Sequence, residues 1–360
     1  MSKKMMQSVE AAGKKLEFLE TADGTRMLML PYGARVLGLA PAKGEDTFFW
    51  NNPRLEQAAT ARSLFTGDGW HNTGGDRTWI APEWETFYPD GTPKAYLQPR
   101  QLDMSDYDVE RTCGGLQFSR RMTLHLGRTN RDISLRLTKW FGPADNPLRD
   151  ERDMAAIDAA VQYAGYTQRV TMQSTDDFSD PQSGVGIWNL VQLPPGGEML
   201  VPLYTGATPQ KCFGQVPAES MTIEGHLLRV RINFDGSHKI ALKAAAICGR
   251  AGYVYGRAGQ FSLVIRNFFV NPSGQYIDVQ RHDPDDYGYA FQMCRVDEPQ
   301  YGSFCELEYH APAIGALPDP TRSEDTSQLW AFRGNRDAID AIAHKLLGAK
   351  PSKTERAETR

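Results

Sequence analysis

Residues 116–126, LQFSRRMTLHL, and residues 132–140, DISLRLTKW, alternate apolar and polar side chains over most of their length. Successive side chains of a strand point to opposite faces, so this period of two reads as strand with one dry face and one wet face. The same pattern, broken at Gly, Pro, Asn or Asp, recurs on both sides. It runs through residues 15–20, 26–39 (interrupted at Pro31-Tyr32-Gly33) and 156–173. Further on it covers residues 227–234, 240–248, 261–270, 275–279, 289–296 and 303–309. Ala22-Asp23-Gly24 and Phe234-Asp235-Gly236 carry the residues that close tight turns between such strands. Helical spacing is almost confined to the end, where Asn335 is placed to cap a helix, Ile339, Ile342 and Leu346 share a face, and Gly348 supplies the stop.

These patterns predict an all-β fold: a large antiparallel body over residues 1–332, a helix over 333–348 packed on the same domain, and a polar, disordered tail over 349–360. No Pro/Ser-rich linker divides the strands. The 360 residues are 41% hydrophobic and 23% charged, which suits a folded core and excludes disorder, collagen and coiled coil. Forty basic residues are interspersed among 44 acidic ones for a net charge of −4, so the electrostatic footprint of a nucleic-acid binder is missing. The absence of an 18–20-residue apolar run or a secretory leader predicts a soluble, cytoplasmic protein with no membrane partner. Five scattered cysteines, Cys113, Cys212, Cys248, Cys294 and Cys305, show no CxxC spacing, which fits a reducing compartment without disulfide framework or zinc knuckle.

Chemistry concentrates in three segments. Residues 69–91, GWHNTGGDRTWIAPEWETFYPDG, crowd Trp70, Trp79 and Trp84 together with His71, Arg77, Glu83 and Glu85. Indole faces stack on the C–H surface of a sugar ring while guanidinium and carboxylates bond its hydroxyls, a mixture suited to a polyol. Gly74-Gly75 permits close backbone approach, but no phosphate-loop pattern is present. The alternative is that the tryptophans are core and Arg77 pairs with Glu83 or Glu85.

Residues 184–202 present Trp188 and Asn189 on a strand, where Trp188 alone is more often core than platform. Residues 302–312, GSFCELEYHAP, put Glu306 and Glu308 on one face with His310 in register. Paired carboxylates raise each other's pKa and suit acid/base work; a solvated face or an ion pair with an arginine is the competing reading. Lys239 and Lys243 share a side of one strand, most simply a solvated one. Tyr276, Asp278 and the tract Arg281-His282-Asp283 mix titratable types, as a polar loop also would. His125, His226 and His344 have no partner in sequence. Neither HExxH nor a His/Cys cluster appears, so no metal site is expected, and GxSxG is absent.

Taken in order, these pieces resemble the galactose mutarotase-like superfamily. Residues 25–39 are similar to the opening strand pair of aldose 1-epimerases. GGDRTWIAPE (residues 74–83) resembles the arginine-bearing stretch of uncharacterised GGxRxWxAPE-type members. GIWNLVQLPPGG (residues 186–197) resembles the Trp-bearing central strand, and CELEYHAP (residues 305–312) with Gln328-Leu329-Trp330 resembles the closing strands, so that residues 15–332 are covered. The resemblance implies a β-supersandwich with carbohydrate in a groove on one sheet. It also implies a late-strand glutamate base matching Glu306 or Glu308, and a sugar-holding arginine matching Arg77. The family's central-strand histidine acid has no counterpart in residues 186–190, which leaves His71 or His310 to replace it in space.

The expectation is a carbohydrate-binding protein, acting on a sugar by acid/base chemistry in the manner of an aldose 1-epimerase, without metal or nucleotide cofactor. Glu306, Glu308, His71 and His310 are the catalytic candidates. Trp70, Arg77, Trp79, Glu83, Trp188, Asn189 and Lys239 are the substrate-binding ones. A non-catalytic glycan-binding module and a polysaccharide lyase-like activity on the same scaffold are the alternatives.

Overall fold

Alternation of the kind seen at residues 132–140 needs a dry surface against every strand, and two stacked antiparallel sheets provide it. The computed structural model describes residues 2–44, 46–90, 96–176, 178, 184–278, 286–314 and 321–350. In chain order the first strands are β1 (Glu17–Glu20), β2 (Arg26–Leu30), β3 (Arg35–Ala40), β4 (Asp76–Ala81), β5 (Asp108–Thr112), β6 (Gly115–Leu126) and β7 (Arg131–Pro143). Next come β8 (Gln162–Ser174), β9 (Gly186–Leu193), β10 (Glu198–Pro202), β11 (Gln210–Phe213), β12 (Met221–Glu224) and β13 (Leu227–Arg231). The last are β14 (His238–Leu242), β15 (Arg250–Arg257), β16 (Gln260–Phe268), β17 (Phe291–Glu298), β18 (Gly302–His310) and β19 (Arg322–Gly334). One sheet has the order β1-β2-β3-β4-β9-β18-β17-β14-β11, and the other β12-β13-β10-β15-β16-β19-β8-β7-β6-β5.

The inward faces interdigitate in one apolar cluster, with Val36, Ile80, Ile187, Val191 and Leu307 from the first sheet meeting Leu135, Leu137, Val170, Val264 and Ala331 from the second. A polar seam runs inside it. Asp76 accepts from Tyr166 and Arg266, and Asn189 is bonded to Tyr309 (2.8 Å), Gln168 (2.9 Å) and Thr78 (2.6 Å). Burial works against the Arg266 charge, but Asp76 overrides it and holds the guanidinium firmly protonated.

Helices cover parts of both outward faces. The C-terminal helix, Arg336–Leu347, is capped by Asn335, whose side chain accepts from the Ala338 amide at 2.9 Å, and it ends at Gly348 with φ +68°. Its Ile339 and Ile342 bury against Leu263, Ile265 and Phe332, each such side chain contributing about 1.5–3 kcal/mol. Ala349 is buried with them and the Lys350 carbonyl accepts from Arg229, while residues 351–360 of the expected tail lie outside the described residues. No helix is long and apolar enough to cross a membrane.

Several expected elements differ. Helices also form at Lys3–Ala11 and Ala58–Thr66, where Met5, Val9, Leu64 and Phe65 pack on Leu28, Leu30 and Leu37; the 3.6-residue spacing of Met5 and Val9 marks the first of them. The expected strand over residues 156–173 begins only at Gln162, because Ala155–Asp158 is helical, and that over 240–248 ends at Leu242 before a turn of 3-10 helix at Ala244–Ala246. Both departures are alanine runs, whose helical preference wins over a weak alternation. Residues 275–278 form no ladder, making single bonds from the Tyr276 amide to Tyr287 and from Ala313 to Gln275; Val279 lies outside the described residues.

Candidate functional site

On the outward face of the nine-stranded sheet, the register lines up side chains from distant parts of the chain. Arg77 on β4 stands opposite Leu190 on β9, which stands opposite Glu308 on β18 and then Gln292 on β17. In the next row Gln192, Glu306, Cys294, Lys239 and Phe213 follow one another across β9, β18, β17, β14 and β11. On the other side Trp79, Trp188 and His310 form a third row. Because alternate residues of each strand face outward, five strands bring their polar side chains to one place. Trp70, Glu83, Tyr96 and Tyr301 complete a cavity of about 440 Å³, within the ~300–1,000 Å³ usual for small-molecule sites.

The Gly74-Gly75 pair sets the approach to β4. Both residues have positive φ, and a Cβ on either would lie 2.3 Å from a backbone oxygen, that of Trp50 or of Val36, so only glycine lets these backbones meet. The Ala81–Pro82 peptide is cis, and it leads into Glu83 at the rim.

Charges pair across the floor. Arg77 donates to Glu306 at 2.7 Å, and Gln192 donates to the same oxygen at 3.0 Å. The Arg77 guanidinium also lies 4.1 Å from the Trp79 ring and 5.0 Å from that of Trp70, a cation–π arrangement. Glu308 Oε2 accepts from Trp188 Nε1 at 2.9 Å and faces Lys239 Nζ at 3.2 Å, and Lys239 is 3.7 Å from Glu83. Burial pushes the Glu308 carboxyl up to about 7, with Glu306 and Glu83 adding to the shift and Lys239 opposing it. Burial also raises Glu83, which Lys239 opposes, whereas burial of Lys239 is outweighed by Glu308, Glu83 and Asp278, so its ammonium is held well above its ordinary value.

Several polar atoms are left over. Arg77 Nε and Nη1, Trp70 Nε1, Trp79 Nε1 and Glu308 Oε1 have no hydrogen-bond partner among the described residues. Unsatisfied donors and acceptors of this kind cost about 1–3 kcal/mol each unless something fills them.

Eight of the residues singled out from sequence therefore share the cavity: Trp70, Arg77, Trp79, Glu83, Trp188, Lys239, Glu306 and Glu308. Three do not line it. His71 is held between Tyr32 Oη (2.8 Å) and the Gly67 carbonyl (2.7 Å), and burial lowers its pKa. His310 stacks on Trp188 with ring centroids 5.4 Å apart, and burial pushes it down to about 4. Asn189 faces the interior, bonded in the seam between the sheets. Arg77 pairs with Glu306 rather than with either glutamate near it in sequence: Glu83 faces Lys239, and Glu85 takes Arg128 at 2.5 Å.

Lys239 is buried instead of lying on a solvated face, whereas Lys243 pairs with Asp286 at the surface. Asp278 accepts from the Glu83 amide at 3.1 Å; Arg281, His282 and Asp283 lie outside the described residues. Cys294, Tyr96, Tyr301, Phe213 and Glu298 also line the cavity, and sequence reasoning passed over them. Alternation puts Cys294 on a face with Gln292 and Val296, but nothing in the sequence says which strand lies beside it.

Cys294 and one oxygen each from Glu306 and Glu308 lie within 4.8 Å of one another, close enough to ligate an ion. The set fits a metal poorly. Arg77 and Lys239 already balance the carboxylates, and burial drives the Cys294 thiol well above its ordinary value, against the thiolate a metal needs.

A family profile matches residues 6–357, nearly the whole chain. The chain belongs to DUF6786, a family of unknown function. No curated protein matches the chain in sequence. Among solved structures, this DUF6786 chain is similar to the Slr1438 protein from Synechocystis sp. PCC 6803, with a TM-score of 0.50 at 11% identity, over 89% of this chain and 96% of that one. It is also similar to galactose 1-epimerase from Lactobacillus acidophilus NCFM (TM-score 0.44, 11% identity, 89% and 95% of the two chains). A third is the GalM/aldose epimerase homologue from C. elegans (TM-score 0.40, 10% identity, 90% and 100%). The likeness is one of fold, a sandwich of two large antiparallel sheets.

Proposed function

We propose that the cavity binds a neutral saccharide and moves protons on it through Glu308 and Glu306, and that the chain stands beside the GGxRxWxAPE-type members of the mutarotase-like group. The observation that carries this reading is the convergence of Arg77, Glu83, Lys239, Glu306, Glu308 and Trp70 on one cavity, with Arg77 Nε and Nη1, Trp70 Nε1 and Glu308 Oε1 buried behind its wall without a hydrogen-bond partner among the described residues. Trp70 is the half-buried indole of the wall, Trp79 and Trp188 being core, and an indole face suits the C–H face of a sugar ring, whose hydroxyls can both accept from the guanidinium and donate to the carboxyl groups.

Opening a cyclic hemiacetal requires one proton placed on the ring oxygen and one removed from the anomeric hydroxyl. In this reading Glu308 gives the first and Glu306 takes the second. The C1–O5 bond breaks to an open-chain aldehyde, and return of both protons closes the ring to the other anomer. Glu308 then takes the place of the missing histidine acid, since neither His71 nor His310 lines the cavity.

A uronate-cleaving reaction is disfavoured by charge. Arg77 is paired with Glu306, Lys239 lies beside Glu308 and Glu83, and among the described residues the carboxyl groups lining the cavity outnumber its cations, so a further carboxylate is poorly accommodated. The absence of a histidine from the cavity wall, among the described residues, favours a second reading, binding without turnover.

Anomer exchange measured by NMR on free neutral sugars, beside calorimetric titration of the same sugars, tests both. Exchange above the buffer rate that falls at least a hundredfold in Glu308→Gln supports proton transfer. Binding without exchange leaves the second reading, and no binding by any neutral mono- or oligosaccharide ends both.

A further inference from the structure

A cavity of about 760 Å³ lies on the other outward face, over the part of the ten-stranded sheet left bare by the C-terminal helix. The strands β6, β7, β8 and β19 stand side by side there. Their register places Arg121 opposite Arg136, Arg136 opposite Gln173, and Gln173 opposite Arg322.

Directly opposed side chains on neighbouring strands have Cβ atoms about 4.5–5.5 Å apart, where like charges destabilise the pair. A chain with 44 acidic residues among 360 has ample means to neutralise such a row. Here it does not. Among the described residues, those lining this cleft include three arginines and no Asp or Glu, with Asp176 at its border accepting from the Ser134 amide and from Ser174 Oγ. Arg322 is bonded to Glu324, while Arg121 and Arg136 have no hydrogen bond or ion pair among the described residues. Thr123 and Ser134, opposite each other in the adjoining row, add hydroxyl donors to the wall. The cleft thus holds two exposed, unpaired guanidiniums side by side, next to hydroxyl donors, and a bound anion would relieve their repulsion.

We propose that this cleft binds a phosphate or sulfate group, a tetrahedral oxyanion taken between the Arg121 and Arg136 guanidiniums. Each planar guanidinium can give two parallel hydrogen bonds to such a group, and the hydroxyls of Thr123 and Ser134 lie beside it. The group can arrive as the free ion or as an ester carried on a larger molecule. The site is independent of the saccharide cavity, which faces outward from the other sheet.

The test is calorimetric and thermal titration of the full chain with sodium phosphate, with sodium chloride making up a constant ionic strength. The wild type is compared with the double variant Arg121→Gln/Arg136→Gln and with Arg169→Gln, a change on the same face where the arginine stacks on Trp140 at 4.9 Å. Phosphate is expected to raise the melting temperature of the wild type above the chloride control and to bind at least tenfold more weakly to the double variant, with Arg169→Gln little changed. Without phosphate, the double variant should melt at or above the wild-type temperature, because the repulsion is gone. Glucose 6-phosphate beside glucose identifies the source: tighter binding of the ester than of inorganic phosphate supports an esterified ligand, and equal binding supports the free ion. An identical response to phosphate and chloride, or undiminished binding in the double variant, overturns the proposal.

Discussion

Arg77 and Glu306, 229 positions apart in the chain, meet through a 2.7 Å contact between Nη2 and Oε1 that reaches across β9. Neither strand touches the other, so the pair exists only when β4, β9 and β18 are all in register. Both side chains are buried, and removing one partner strands the other charge. Arg77→Met is therefore expected to destabilise the fold by about 3–5 kcal/mol, and Arg77→Met/Glu306→Leu to recover much of that loss. Urea unfolding of the single and double variants measures the coupling; strictly additive losses would show that the two charges do not depend on each other.

Glu308 carries a pH signature. Its carboxyl is held at about 7 against an ordinary value of 4.5, chiefly by burial. Between those values the folded chain keeps a proton that the unfolded chain has released. The group's favourable share of stability is complete below about 4.5 and is lost as the pH rises through 7. Glu308→Gln removes the titration, so its stability relative to wild type should improve steadily from pH 5 to pH 8. Melting temperatures of the two proteins across that range check this, and parallel curves would refute it.

Lys139 gives the opposite sign. It occupies an inward position on β7, fully buried, with Nζ donating to the Ala34 carbonyl at 2.6 Å, and burial lowers its pKa from 10.5 to about 7. From pH 7 to 10.5 the unfolded chain binds a proton that the folded chain has largely given up, so stability gained from this group grows with pH and is lost on falling through that window. Lys139→Met, which exchanges a desolvated amine for an apolar chain of similar length, should be more stable than wild type at pH 7, and its advantage should shrink by pH 9.5. An advantage that does not change over this range would exclude Lys139 as its origin.

Lys139 and its neighbours also show where sequence reading succeeds and where it stops. Period-two alternation located most strands because each has one dry face, and Asn335 with Gly348 marked the C-terminal helix because capping is a local property. Glu306 and Glu308 sharing an outward face was legible for the same reason. Pairing between strands is not local. That β4 and β18 both flank β9 decides that Arg77 finds Glu306 and not Glu83, and no spacing within residues 69–91 contains that fact. Cys294 reaches the site by the same route, through the neighbour of its strand. His71 fits a polar, aromatic segment but turns toward Tyr32, because the chain bends between Gly67 and Thr73 in a way that depends on tertiary packing.

Asn189 and Trp188 are adjacent in sequence and point to opposite faces of β9, so one change can separate the interior from the cavity. Asn189 Nδ2 donates to Tyr309 Oη at 2.8 Å and to Asp325 at 3.2 Å, and its oxygen accepts from Thr78 and Gln168. Asp325 is itself buried, and burial raises its carboxyl to about 6. Replacing Asn189 by Leu leaves four polar partners to find new hydrogen bonds in a dry seam, where each failure costs about 1–3 kcal/mol. The expected result is a drop in stability of at least ~2 kcal/mol, read by urea unfolding, with saccharide affinity within about twofold of wild type at a temperature where the variant is folded. Trp188→Leu should cost stability too, because the indole is fully buried, but it also forms cavity wall and donates to Glu308, so here ligand affinity falls at least tenfold. Equal loss of affinity in both variants would contradict the opposed orientation of the two side chains.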